Sequence, residues 1–167
     1  MSTLVRPYEA SDRDPICQLM AALQDWERQW AVDRVPGETM ASDHVTYLLT
    51  LAQASGGETF VALNGEQIVG FLVLIAESED EDDAHLIPEA KRYGLVTDLY
   101  VLESARGKGV GALLLKAAEA HANAMGLSVL RIQSLTANSE AIAFYEGRGY
   151  APYELTLSKR IGKTIPS

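Results

Sequence analysis

Arg106-Gly107-Lys108-Gly109-Val110-Gly111 sets three glycines and two cations between an apolar run, Leu95–Val101, and a helical pattern that opens at Ala112. Glycine lets the backbone come close to a ligand, and the first amides of a helix have no internal partner. Those amides and the positive helix end attract anionic oxygens, phosphates above all. The segment therefore reads as a loop that holds a phosphorylated small molecule; the plainer reading is a tight loop with no ligand. A P-loop requires Ser or Thr after Gly-Lys, and Gly107-Lys108 is followed by Gly109. The dinucleotide fingerprint fits better in its letters, as Gly107-x-Gly109-x-x-Ala112. It fits poorly in its setting. Residues Leu102–Arg106 intervene before the first glycine, and the strand expected at Leu127–Ser134 carries no acid for a ribose.

The elements that must hold this loop follow from periodicity. Thr3–Tyr8 reads as a strand, and Ser11 with Asp14 as a helix start. Ile16, Leu19, Met20, Leu23, Trp26 and Trp30 recur at helical spacing until Pro36-Gly37 breaks the pattern. Val45, Leu48, Leu49 and Ala52 mark a second helix, ended by Gly56-Gly57. Phe60–Leu63 and Gln67–Ile75 read as strands joined at Asn64-Gly65. Leu95–Val101 is the next strand and Gly107–Met125 the central helix. Leu127–Ser134 is a strand, Ala137–Arg148 a helix, and Tyr150–Arg160 the last strand, with a fraying tail to Ser167. Early antiparallel strands followed by helical crossovers make a mixed α/β sheet, and the length fits one domain over residues 1–167.

Arg106-x-x-Gly109-x-Gly111, after Asp98-Leu99-Tyr100-Val101, resembles the pyrophosphate-binding motif of the GNAT superfamily of acyl-CoA-dependent N-acyltransferases. Asn138-Ser139-Glu140-Ala141-Ile142-Ala143-Phe144-Tyr145 resembles that family's later helix, with its Asn near the start and its Phe-Tyr pair. The resemblance covers nearly the whole chain. It implies a GNAT-like mixed sheet of six to seven strands flanked by about four helices, acetyl-CoA as cosubstrate, and an amine acceptor. It also implies roles. Leu99, Tyr100 and Val101 would lie along the pantetheine arm, with the backbone of Leu99 and Val101 pairing to it like an added strand. Arg106, Gly107, Lys108, Gly109, Val110, Gly111 and Ala112 would wrap the pyrophosphate. Asn138 would bond the cofactor arm, and Tyr145 would stand near the thioester sulfur. Trp26, Glu27 and Trp30 lie on the helix that borders the acceptor in this family.

The chemistry of those residues points the same way. Attack on a thioester needs a neutral amine, a polarised carbonyl and a protonated leaving thiolate. The N–H of Val101 could polarise the carbonyl. A thiol ionises near pH ~8.5 and a Tyr near ~10, so Tyr145 can donate to a forming thiolate. Asp98 and Tyr100 share one strand face, Leu99 and Val101 the other. Asp98 is thus either the acceptor of the amine proton or a structural hydrogen-bond acceptor; bulk water is the alternative base. Cys17, alone and far from the site in sequence, gives no acyl-enzyme and no internal disulfide, as in a reducing compartment.

Composition narrows the partners. A net charge of -9 argues against nucleic acid. No apolar run is long enough for a bilayer and no leader pattern opens the chain, so a cytoplasmic protein is expected. His44, His85 and His121 show no metal spacing, and no metal is expected. Glu77–Asp83 holds six carboxylates, a solvated loop by default and an acidic lip for a cationic amine in the sharper reading. The reading reached is an N-acetyltransferase that moves acetyl from acetyl-CoA directly to a cationic small molecule or a protein amine, as a possible homodimer. The rival is an acyl-CoA-binding regulatory domain without turnover.

Overall fold

The computed structural model describes residues 2–162. Its strands are β1 (Thr3–Pro7), β2 (Glu58–Asn64), β3 (Gln67–Ser78), β4 (Arg92–Val101) and β5 (Leu130–Ile132), in that spatial order. Its helices are α1 (Arg13–Glu27), α2 (Gly37–Ser55), α3 (Val110–Ala124) and α4 (Ser139–Glu146). The first four strands pair antiparallel, and β5 pairs parallel to β4 after the crossover through α3. The sheet is mixed, as expected, but has five strands among the described residues where six to seven were expected. Residues 150–160 take no strand partner and, beyond Tyr150, lie exposed. The tail expected to fray, from Lys163 on, lies outside the described residues.

Alternation along the strands divides the core in two. Phe60, Ala62, Leu72, Leu74 and Val96 pack against Leu114, Leu115 and Ala118 of α3. Val61, Phe71, Val73 and Ile75 pack on the other face against Ile16, Met20, Val45 and Leu48 of α1 and α2. β3 is central and buried on both faces, so it reads as a continuous apolar run. The β2–β3 hairpin closes at Asn64↔Gln67, so the turn residues are Gly65-Glu66, one position later than expected.

The start of α1 rests on Asp12, not Ser11. A single 3-10 turn, Ala10–Asp12, precedes the helix. Asp12, 4% exposed, accepts from the Glu9 N–H at 2.8 Å and from both terminal nitrogens of Arg6 at 2.6 and 2.9 Å. Arg6 holds this carboxyl below its ordinary range. At the other end of α1, Asp25 accepts from the Gly37 N–H at 2.8 Å and Gln24 donates to the Val35 carbonyl at 3.0 Å. α1 and α2 cross so closely that a β-carbon on Gly37 would lie 2.2 Å from the Ala21 carbonyl oxygen. This crossing fixes the end of α1, and with it Trp26 and Glu27.

Candidate active site

One extra residue in β4 aims the site. Val73 pairs with Asp98 but Leu74 with Val96, so Thr97 bulges. A bulge shifts the alternation of side chains by one. Before it, Val96 faces α3 and Leu95 faces α1 and α2; after it, Leu99 and Val101 face α3 and Tyr100 faces the other helices. The peptide groups turn as well. Gly94 donates to Val129 beside β5 at 2.9 Å, whereas Leu102 donates to Val69 on β3 at 2.8 Å. Counting back from Leu102, the peptides of Leu99 and Val101 point away from β3. β5 no longer meets them, because its pairing ends at Val96↔Ile132.

The two strands thus part, and a cavity of about 300 Å³ lies in the wedge. Leu99, Tyr100 and Val101 form one wall, and Arg106, Gly107, Gly109, Val110 and Gly111 the end. Asn138, Glu140, Ala141, Phe144, Tyr145 and Arg148 supply the opposite wall, with Leu23 and Trp26 closing from α1. Lys108 and Ala112 do not line it. The Lys108 ammonium is turned back onto the Ser104 carbonyl at 2.8 Å.

The loop glycines serve different ends. Gly107 and Gly109 have φ of +71° and +81°, where a side chain is strained. A β-carbon at either would meet no protein atom within 4 Å, so conformation alone requires glycine there. Gly109 caps α3 without a side-chain acceptor, which leaves the first amides of α3 uncommitted. Gly111 is held by packing: a β-carbon would lie 2.9 Å from the tip of the Phe144 ring. Gly111 therefore seats α4 against α3.

Arg106 bridges the loop to α1. Its Nε donates to the Val101 carbonyl at 3.0 Å. Its guanidinium carbon lies 5.1 Å from the Trp26 ring centre and 5.5 Å from that of Tyr100, within cation–π range. Trp30 meets Trp26 edge to face at 5.7 Å and does not line the cavity. Asn138 caps α4 through its carbonyl oxygen, which accepts from Ala141 N–H at 3.2 Å. Its amide NH₂ is left to donate elsewhere.

Tyr145 stands edge to face with Phe144 and Tyr150, at 5.4 and 6.2 Å between ring centres. Burial, with added repulsion from Glu27 and Asp98, pushes its phenol up to about 12. Asp98 and Glu27 line no part of the cavity but lie close enough to act on that phenol. Burial raises the carboxyl of Asp98, opposed by His44 and Arg34. Burial also raises Glu27, whose carboxylate is 3.9 Å from Arg34. The structure thus brings Tyr145, Asp98 and Glu27 into one electrostatic group.

Two neighbours escaped sequence reasoning. His44 acts on Asp98 from α2; its spacing from Ala41 and Leu48 put it beside the buried face of that helix. Arg148 lines the cavity, donates to the Phe144 carbonyl at 2.8 Å and stacks 3.7 Å over the Phe144 ring. Its signal was the spacing Ala141, Tyr145, Arg148 along one helix face. No group of three or more His, Cys, Asp or Glu able to hold a metal occurs among the described residues. No described helix is long and apolar enough to cross a membrane.

Comparisons with known proteins show the family and the fold in which this cavity lies. A curated relative, described as the uncharacterized N-acetyltransferase YhfO of Bacillus subtilis (strain 168), is 36% identical over 86 residues. That alignment spans 47% of this chain and 58% of the relative, a little over half its length. The structure is similar to that of a tetramutant of the BH1408 protein from Bacillus halodurans, with TM-score 0.78, 18% identity, and 95% and 99% of the two chains covered. It is also similar to a GCN5-related N-acetyltransferase from Ralstonia eutropha JMP134, with TM-score 0.73, 20% identity, and 96% and 100% covered. At these identities the solved structures show the fold alone. The model described as the acetyltransferase (GNAT) family matches residues 20–150, which takes in the bulged strand, the glycine turn and α4 together, and the chain belongs to that family.

Proposed function

We propose that this chain transfers the acetyl group of acetyl-CoA directly to an amine, either a cationic small molecule or a protein amine. One observation carries the reading: a single cavity joins the freed edge of β4, the turn ahead of α3 and Tyr145. The residues fit the cosubstrate. The peptides of Leu99 and Val101 can pair with the amides of a pantetheine arm. The uncommitted amides of Val110 and Gly111 suit a pyrophosphate. The Asn138 NH₂ can donate to the arm. A cavity of about 300 Å³ takes the reacting end, with the nucleotide lying over the surface. The N-acetyltransferase description of the Bacillus subtilis relative supports an amine as acceptor.

When bound, the thioester supplies the acyl carbon and a thiolate leaving group. The chain supplies proton handling and placement. The N–C bond forms and the C–S bond breaks; the amine gives up one proton and the sulfur gains one. Asp98 takes the amine proton, directly or through water, and its burial makes it a stronger base than an ordinary carboxylate. Tyr145 donates to the sulfur. With its phenol near 12 and a thiol near ~8.5, full transfer is uphill by about 5 kcal/mol while both carboxylates are charged. Neutralising Asp98 removes one of the charges that hold the phenol up. Proton uptake at Asp98 therefore eases proton release at Tyr145, which couples the two halves of the transfer.

Initial rates at varied acetyl-CoA and varied amine test direct transfer. Intersecting double-reciprocal lines are expected. Parallel lines, the sign of a covalent acyl-enzyme, would contradict it.

A further inference from the structure

We infer that the acceptor is a small arylalkylamine with a single positive charge, its ring set against Trp26 and its nitrogen at Asp98. The inference rests on the acetyl-transfer reading and narrows its acceptor. The wall that α1 turns to the cavity is apolar: Leu23 and Trp26 line it, and Glu27 does not. Arg106 lies 5.1 Å from the centre of the Trp26 ring, and Trp30 meets that ring edge to face at 5.7 Å. Both contacts fix the indole, yet Trp26 is still 38% exposed, a broad apolar surface beside a cavity. The segment between α1 and α2 adds to that surface. Trp30 N–H donates to the Glu27 carbonyl at 3.0 Å, and the Val35 carbonyl accepts from Gln24 at 3.0 Å, so the segment is tied to α1 at both ends. It carries Val32 and Val35 at 81% and 51% exposed. Singly exposed apolar residues are ordinary; three of them gathered at the end of one helix, beside a cavity, suit a ligand with an apolar body.

Charge sets what else the ligand carries. Glu27 already faces the Arg34 guanidinium at 3.9 Å. That leaves Asp98, on the strand face it shares with Tyr100, for an incoming ammonium. One available carboxylate suits one ammonium. A polyamine would set further charges against Leu23 and Trp26, where nothing apolar can replace their water. An α-amino acid would bring a carboxylate beside Asp98 and Glu27, and like charges brought together lose affinity. A lysine side chain has no ring to lay on Trp26. A ring a few carbons from a primary amine meets both demands, because an aromatic pair gains from its geometry as well as from the area it buries.

Calorimetry on the full chain saturated with CoA, paired with thiol release from acetyl-CoA, tests the inference with phenethylamine, propylamine, spermidine and phenylalanine. Phenethylamine should bind at least ~10-fold more tightly than each of the others, and kcat/KM should follow the same order. Trp26→Ala should cut the preference for phenethylamine over propylamine to about threefold or less. Propylamine is the internal reference here: a change in the hold on CoA acts on both amines and leaves their ratio alone. Spermidine, phenylalanine or propylamine binding as tightly as phenethylamine would overturn the inference. So would a preference that survives Trp26→Ala. Thiol release that favours spermidine would keep acetyl transfer and overturn the arylalkylamine. Binding in the expected order with no thiol release from any amine would support the ring-and-ammonium site and contradict acetyl transfer.

Discussion

At the residue scale the proposed proton transfer turns on Tyr145, whose phenol burial and two carboxylates hold near 12. Tyr145→Phe keeps the ring contacts and removes the proton. We expect kcat to fall about 10²-fold, with CoA affinity unchanged by calorimetry. A raised phenol stays protonated at higher pH, so the wild-type rate should not decline between about pH 8 and 10 through this group. A decline centred near 10 would place the phenol at its ordinary value. Asp98 gives the opposite limb. Its raised carboxyl is protonated at a higher pH than usual, so activity should fall on acidification well before an ordinary carboxylate titrates. Asp98→Asn should lower kcat and abolish that limb; an intact profile would make Asp98 a structural acceptor. Tyr145, which lines the cavity, and Asp98, which lies near it, were legible as candidates because their types match the chemistry proposed. His44 and Arg148 were not, because a lone His and a helix-end Arg have no such signature.

At the scale of elements, the bulge at Thr97 decides which way the cofactor strand faces. Nothing in Leu95–Val101 announced it, since either parity puts apolar residues on both faces of that strand. The loop glycines look alike in sequence, and only the structure separates them. Gly109→Ala forces a side chain into a left-handed backbone at a cost of about 1–2 kcal/mol. It should also weaken CoA binding more than tenfold. Gly111→Val instead displaces Phe144 and the helix that carries Tyr145, so its larger effect should fall on kcat. Equal losses of affinity and equal kcat in the two variants would erase that distinction. The helices themselves were plain from their spacing, because α1, α2 and α3 each hide one apolar stripe. Their starts were less plain: Ser11 and Asp12 are equal caps by type, and Asp12 has Arg6 beside it through the tertiary fold. Asp12→Ala removes both bonds to Arg6, which keeps only Glu9 at 3.8 Å and the Pro7 carbonyl, and should cost about 2 kcal/mol in urea unfolding. Because Asp12 is held below its ordinary value, its contribution is full above about pH 4 and is lost as pH falls through the depressed value. Asp12→Asn should accordingly flatten the acid limb of stability.

At the scale of the whole molecule, the acidic charge sits mostly away from the wedge. Glu79 meets Arg131 at 3.5 Å and accepts from Tyr93 at 3.2 Å, and the Lys91 ammonium donates to the Glu81 carbonyl at 2.7 Å. These contacts hold the acidic run at the start of β4. Asp98 lies six residues further along that strand from Arg92, about 20 Å, or roughly two Debye lengths in physiological salt. Steering of an amine by this run is therefore weak. Replacing Glu81, Asp82 and Asp83 by their amides should leave the amine KM unchanged; a KM that rises and loses its salt dependence would restore the acidic-lip reading. The sequence pattern also counted a sixth strand over Tyr150–Arg160 that the described residues do not form, because periodicity records what a segment can pair with and not whether it pairs. Turnover is read by release of free thiol from acetyl-CoA across a panel of amines. Thiol release should depend on the amine, saturate with it and drop about 10²-fold in Tyr145→Phe. Tight CoA binding with no amine-dependent thiol release from any member of the panel would contradict it, and would leave a domain that binds acyl-CoA without using it.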